Sequence, residues 1–289
     1  MDAVDTHCHI ISDDLTSYPR SPIGGKQSEW AESRPVTAHG MADRMDETGI
    51  RQAVLVQATT AYGYDNSYVL DSARQRPDRF VAVGTFDPLR PDAATRLAEA
   101  IDGGLAGVRL FTHGSTVPVQ GEWFAAPETF AFWEKAGELD VPVCLQMRLG
   151  PATKQLREVL ERFPGVRVLL DHIGYPGIAA SPADASGEVA ELARHPGLYL
   201  KLTHRNLERL REAGKEAAGF LEPVIEAFGA GRIAWGSNCP AAEQSLPELL
   251  LLAEEVLAHL PDGDREEIFA GTARRLYPAL AQVEVSGTG

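Results

Sequence analysis

Eight short, nearly unbroken apolar runs, separated by longer stretches of helical periodicity, constrain this chain more than any other feature. The runs cover residues 4–11, 52–58, 80–86, 106–111, 141–147, 166–172, 198–203 and 232–236. Helical patterns fall at 36–49, 65–76, 91–103, 127–139, 152–163, 182–195, 207–228, 245–260 and 265–277. The 207–228 stretch reads as one helix or two, because Gly214 and Gly219 weaken it. Strands without apolar–polar alternation are buried on both faces, which implies a parallel sheet covered by helices.

A closed (β/α)8 barrel and an open doubly wound sheet both fit that pattern. An open nucleotide-binding sheet carries a glycine-rich first strand-to-helix turn. Here the first run ends in Asp5-Thr6-His7-Cys8-His9, with no such turn. The expected fold is therefore an α/β (β/α)8 TIM barrel. The 289 residues suit a single domain, because such barrels run to about 250 residues before insertions. No repeat, low-complexity tract or linker divides residues 1–289. Residues 12–35 are rich in Pro, Gly and Ser with no periodic face, so they read as a long loop and a lid. Residues 263–289 read as a closing helix and tail.

Charge and cysteine content exclude some functions. The chain has 27 Lys and Arg against 41 Asp and Glu, a net charge of −14, with no basic cluster. Phosphate contacts need clustered cations, so nucleic acid and anionic membrane surfaces are not expected partners. No apolar run reaches the ~20 residues of a membrane span. Cys8, Cys144 and Cys239 are too few for a disulfide framework, and no leader pattern opens the chain. A cytoplasmic location is the simplest expectation. The pattern sets no oligomeric state.

In a barrel of this kind, chemistry collects where the strands end. His7 and His9 share one face of the first run and Cys8 the other. Paired imidazoles there suit metal ligation or acid–base work. Asp5 shares their face, either to orient them or as a structural carboxylate. His172 ends the sixth run, and alternation turns Asp171 away from it. Asn238 sits in the turn Trp235-Gly236-Ser237-Asn238-Cys239-Pro240. Arg109, Arg148, Lys201 and Arg205 stand at or near strand ends, where they suit a substrate carboxylate. Gln146 joins them as a substrate-binding amide and is a poor ligand for a hard cation. His113 and His204 each follow a strand. Tyr18, Trp30, Tyr62, Tyr64 and Trp123 lie in loops that can wall a pocket.

These motifs together resemble the amidohydrolase superfamily. The closest likeness is to the branch of 2-pyrone-4,6-dicarboxylate lactonase and the sugar-acid lactonases. It rests on His7-x-His9, the AGVRLF strand, Leu170-Asp171-His172-Ile173-Gly174, Lys201-Leu202, the late Gly236-Ser237 turn and Gly271-Thr-Ala-Arg-Arg-Leu-Tyr277. The resemblance implies a barrel hydrolase that cleaves an ester or lactone bond in a small anionic substrate by activated water. His7, His9, His172 and Asn238 are its catalytic set. It leaves two cofactor states open: one divalent ion, Zn or Mn, on His7, His9 and His172, or no metal at all. A binuclear centre is not expected, because Gln146 and Met147 end the middle strand where such members carry a bridging ligand.

One residue departs from the pattern. The family carries aspartate where this chain has Asn238, and an amide takes up no proton at pH 7. That leaves open a natural enzyme that does not need that base, a substitution that traps substrate, and a catalytically silent binding protein. A metal-dependent decarboxylase or dehydratase is the further alternative within the fold.

Overall fold

A computed structural model describes residues 2–281. The eight strands are β1 (Val4–Cys8), β2 (Gln52–Val56), β3 (Phe80–Thr85), β4 (Gly107–Phe111), β5 (Pro142–Gln146), β6 (Arg167–Leu170), β7 (Leu198–Thr203) and β8 (Ile233–Gly236). All neighbouring pairs are parallel and follow chain order from β1 to β8. The result is the single α/β domain expected, a nearly closed TIM-like barrel. Its last seam joins β8 and the turn beyond it to β1. Asn238 N donates to His7 O at 2.6 Å and His9 N donates to Cys239 O at 2.8 Å. Across the same seam Thr6 Oγ1 donates to Trp235 O at 2.5 Å. No described helix is long and apolar enough to cross a membrane.

Alternation explains which side chains enter the barrel. On β4 to β7 the outward residues Val108, Leu110, Val143, Leu145, Val168, Leu170, Leu200 and Leu202 join the large core beneath the helices. The residues between them, Arg109, Cys144, Gln146, Leu169 and Lys201, are also buried and so fill the interior. The lower interior is apolar. Val4, Val54, Val56, Val81, Val83, Cys144 and Leu169 meet Ala270, Ala273, Leu276, Tyr277 and Leu280 from the end of the chain. That segment is tied to β2 by Gln52 Nε2, which donates to Leu280 O at 2.8 Å.

Two local readings change and one open reading is settled. Residues 12–35 are not wholly irregular, since Glu29–Ser33 forms a short helix. The 207–228 stretch is two helices, His204–Ala213 and Ala218–Phe228, joined by a tight turn over Gly214–Ala217. The closing helix is broken by a wide turn at Glu267–Gly271. Residues 282–289 of the expected tail lie outside the described residues.

Candidate active site

The upper interior is charged, and its hub is Asp171. Lys201 Nζ lies 2.8 Å from Asp171 Oδ1, and Arg109 Nε donates to Asp171 Oδ2 at 2.9 Å. All three are buried, Asp171 and Lys201 completely. Burial alone raises the Asp171 pKa, but Lys201, His7 and Arg109 outweigh it and hold the carboxyl well below its usual range. Lys201 also bonds His7 Nδ1 at 3.0 Å and Cys144 Sγ at 3.4 Å. Arg109 donates further to Gln146 Oε1, whose amide nitrogen reaches Tyr175 Oη at 3.2 Å.

His7 and His9 enter the site because β1 is irregular. Its register against β2 shifts between Asp5 and Cys8. Gly236 opposite has no side chain, and a Cβ there would stand 2.6 Å from His7 Cβ. Cys8 faces the outer core, as alternation predicts. Asp5 is the structural carboxylate. It accepts from His7 N, Ser237 N and Ser237 Oγ at 2.9, 2.9 and 2.5 Å, clasping β1 to the turn after β8.

The expectation for Asp171 and His172 needs correction, because both enter the site. Asp171 continues the inward parity of Leu169. The chain then turns left-handed, with φ of 55° at His172, 52° at Ile173, 67° at Gly174 and 55° at Tyr175. Left-handed backbone at a β-branched residue is uncommon and costs about 1–3 kcal/mol. Asn206 Nδ2 holds the segment by donating to His172 O at 2.8 Å, and Leu149 N donates to Gly174 O at 2.9 Å. Strand alternation therefore stops at Asp171, and the turn brings the His172 ring to 5.2 Å from His7 and 5.0 Å from Tyr175.

Above this network opens a cup of about 110 Å³. His9, Arg109, Gln146, His172, Tyr175, Arg205 and Asn238 line it, with Trp30 as one wall. Trp30 lies on the short helix of the 12–35 segment and stacks on His9 at 5.3 Å. Of the aromatic residues expected in the wall, Tyr18, Tyr62, Tyr64 and Trp123 do not line the cup. Arg148 also falls short: it is exposed beyond the end of β5, with its backbone N bonded to Gln120. Lys201, expected to grip substrate, is instead wholly buried beneath the cup. His113 packs edge-on against Tyr175 at 5.9 Å without lining it. Asn238 is held at φ 61° by its backbone bond to His7.

Hydrogen-bond partners set the tautomers of His9 and His7. His9 Nδ1 meets the carbonyl of Val56 at 2.8 Å, so Nδ1 carries the proton and Nε2 keeps its lone pair. His172 Nδ1 lies 2.7 Å from Thr203 Oγ1, and either atom can carry the shared proton. His7 is the reverse of His9. An ammonium only donates, so His7 Nδ1 accepts from Lys201 and the proton sits on Nε2, which is buried without a partner. Burial holds all three rings neutral: it lowers the pKa of His7 and His172 well below normal and, with the Arg109 charge, pushes His9 down to about 3.

That assignment tests the metal expectation. A protonated His7 Nε2 offers no lone pair, so His9 and His172 would be left as two imidazole ligands where a catalytic zinc takes three protein ligands. Lys201 and Arg109 already place two fixed cations around one carboxylate. Among the described residues no group of three or more His, Cys, Asp or Glu side chains is arranged to hold a metal ion. The histidines thus assemble as expected, but they do not fit a metal in this arrangement.

Comparison with known proteins agrees with the fold. A family model described as amidohydrolase matches residues 4–279. An L-fucono-1,5-lactonase from Burkholderia ambifaria is 27% identical over 207 residues, covering 68% of this chain and 67% of that protein. A crystal structure from Pseudomonas putida, described as a 2-pyrone-4,6-dicarboxylic acid hydrolase, superposes with a TM-score of 0.77 at 22% identity, over 96% of this chain and 98% of that one. An amidohydrolase from Burkholderia multivorans crystallised with zinc superposes at 0.75 with 22% identity, over 96% and 99%.

Proposed function

The chain belongs to the amidohydrolase family, and on that premise we propose that it hydrolyses a lactone bond in a small carboxylated substrate without a metal. The observation that carries this reading is the pair of neutral imidazoles, His9 and His172, lining one cup with the Arg109 guanidinium. The lactonase relative supports the reaction class.

The two rings suit an attacking water, which donates to His9 Nε2 and to Nε2 of His172 in its Nδ1–H tautomer. The water oxygen bonds to the lactone carbonyl carbon, and the carbonyl π pair moves onto oxygen. Arg109 and Arg205 hold the substrate carboxylate and the developing oxyanion. His172 takes the water proton at Nε2. The ring C–O bond then breaks and the leaving oxygen receives that proton. Asp171 favours the transient imidazolium, since its charge raises the His172 pKa against burial. Asn238 orients water or substrate but takes no proton.

The test is hydrolysis of a panel of carboxylated five- and six-membered lactones, followed by acid release with and without chelator. Turnover that survives chelation, and falls ~10²-fold or more in His172→Ala, supports the reading. Loss of turnover on chelation, restored by zinc, removes its metal-free part. The neutral Asn238 favours a second reading, a silent binding protein. That reading requires tight ligand binding with no lactone consumed by the wild type or by Asn238→Asp.

A further inference from the structure

Tyr175 lines the cup, yet water activation and carboxylate binding do not require it. It closes the left-handed run that carries His172, at φ 55°. That conformation is uncommon for a bulky side chain and concentrates at functional sites. Its backbone N donates to His172 O at 2.9 Å, so one turn presents both side chains, with ring centroids 5.0 Å apart.

The direction of the Tyr175 hydroxyl follows from a chain of donors. An arginine only donates, so the Gln146 atom that meets Arg109 Nη2 is the amide oxygen. The amide nitrogen then faces Tyr175 Oη at 3.2 Å and donates to it. The phenol oxygen is the acceptor in that bond, which leaves its own hydrogen to donate elsewhere. Among the described residues none accepts that hydrogen. Burial raises the Tyr175 pKa against the pull of Arg205 and Arg109, so the phenol keeps the hydrogen at neutral pH. Each bond in such a chain polarises the next, and this one begins at a guanidinium.

Attack on a carbonyl makes two demands at one carbon. The water must lose a proton, and the carbonyl oxygen must take up charge. The two oxygens share that carbon, so the groups that serve them have to be neighbours, as His172 and Tyr175 are. We propose that Tyr175 is a catalytic residue, whose hydroxyl donates a hydrogen bond to the carbonyl oxygen as it becomes an oxyanion, while Gln146 aims that hydroxyl and Arg109 polarises it. No proton leaves the phenol. The bond strengthens as the π pair moves onto oxygen and weakens when the ring C–O bond breaks. This rests on the lactonase reading of the cup.

Tyr175→Phe removes the hydroxyl and keeps the ring. With the lactone that wild type turns over best, kcat is expected to fall ~10²-fold while KM stays within about twofold, because the bond is made in the transition state. A rise in KM with kcat unchanged, or a fall in kcat of less than about fivefold, overturns the assignment. Calorimetry with methylphosphonate, whose tetrahedral oxygens stand in for the oxyanion, reads the same donor without turnover. Wild type is expected to bind it about tenfold more tightly than Tyr175→Phe. Equal affinities, or no binding to either protein, overturn the donor role. The two readouts separate this inference from the reaction. Weakened methylphosphonate binding in Tyr175→Phe, with no lactone consumed by wild type, keeps the hydroxyl as an oxyanion donor and removes the hydrolase reading. Wild-type turnover that Tyr175→Phe preserves does the reverse.

Discussion

The two halves of the barrel interior are built on opposite principles. The lower half is apolar: Val54, Val81, Leu169, Leu276 and Tyr277 pack against one another, and the buried Tyr277 hydroxyl has its contact in Cys144 at 3.5 Å. The upper half holds Asp171, Lys201, Arg109 and three histidines at the same degree of burial. Packing in the floor tolerates partial loss, because every contact is small and independent. The charged half does not, because each group's desolvation is offset by a particular partner. Cys144 marks the border. It belongs to the floor cluster and also touches Lys201 Nζ.

Lys201→Met should break the upper half most severely. It leaves Asp171 buried with Arg109 as its remaining fixed cation and removes the donor that sets the His7 tautomer. Removing one partner of a buried ion pair costs about 3–5 kcal/mol. Denaturant unfolding should show a loss of that size, and turnover should disappear. Lys201→Met combined with Asp171→Leu and Arg109→Met should recover much of the stability, since no buried charge is then left without its partner, but none of the turnover. If the triple variant is less stable than the single one, the electrostatic account of this half fails.

Leu276→Ala probes the floor. A buried leucine cut to alanine costs about 2–5 kcal/mol. The side chain lies in the floor cluster and does not line the cup. The melting point should drop while kcat per folded molecule stays unchanged. A fall in kcat matching that of the Lys201 variant would mean that the halves are coupled rather than divided.

The floor was legible in the sequence and the charged half only partly so. Apolar runs at regular spacing give eight strands, and apolar packing needs no particular partner. His7, His9, Arg109, Gln146 and Asn238 were found because strand-end position and alternation point to them. Asp171 was missed as the hub because alternation was carried through His172, where the backbone has already turned left-handed. Lys201 was found, but its role was misread: the position of a strand residue does not tell whether its charge reaches the mouth or is spent on a buried neighbour. Trp30 was found only as one aromatic residue among several, since the segment 12–35 has no periodicity to aim it.

Proton linkage separates the halves at the smallest scale. The floor cluster holds no carboxylate or imidazole, so acid between pH 8 and 5 leaves its contribution unchanged. In the upper half His9 titrates at about 3 when folded and near 6.5 when unfolded. Its folded pKa is depressed, so the stability it permits is complete above pH 6.5. That stability is lost as pH falls from 6.5 towards 3, at roughly 1.4 kcal/mol per pH unit for one group. His7 and His172 shift the same way and steepen the loss. Asp171, also depressed, opposes none of it, because its contribution is lost only below the ordinary carboxylate range. Activity should therefore behave unlike that of an enzyme with an exposed histidine base. The rings are already neutral, so kcat/KM should stay within about twofold from pH 8 to 6. Its acid limb should follow the unfolding transition. An acid limb centred on pH 6.5 in protein that is still folded would place a charged, solvated imidazole in the cup, and the division between a dry charged half and a dry apolar one would be wrong.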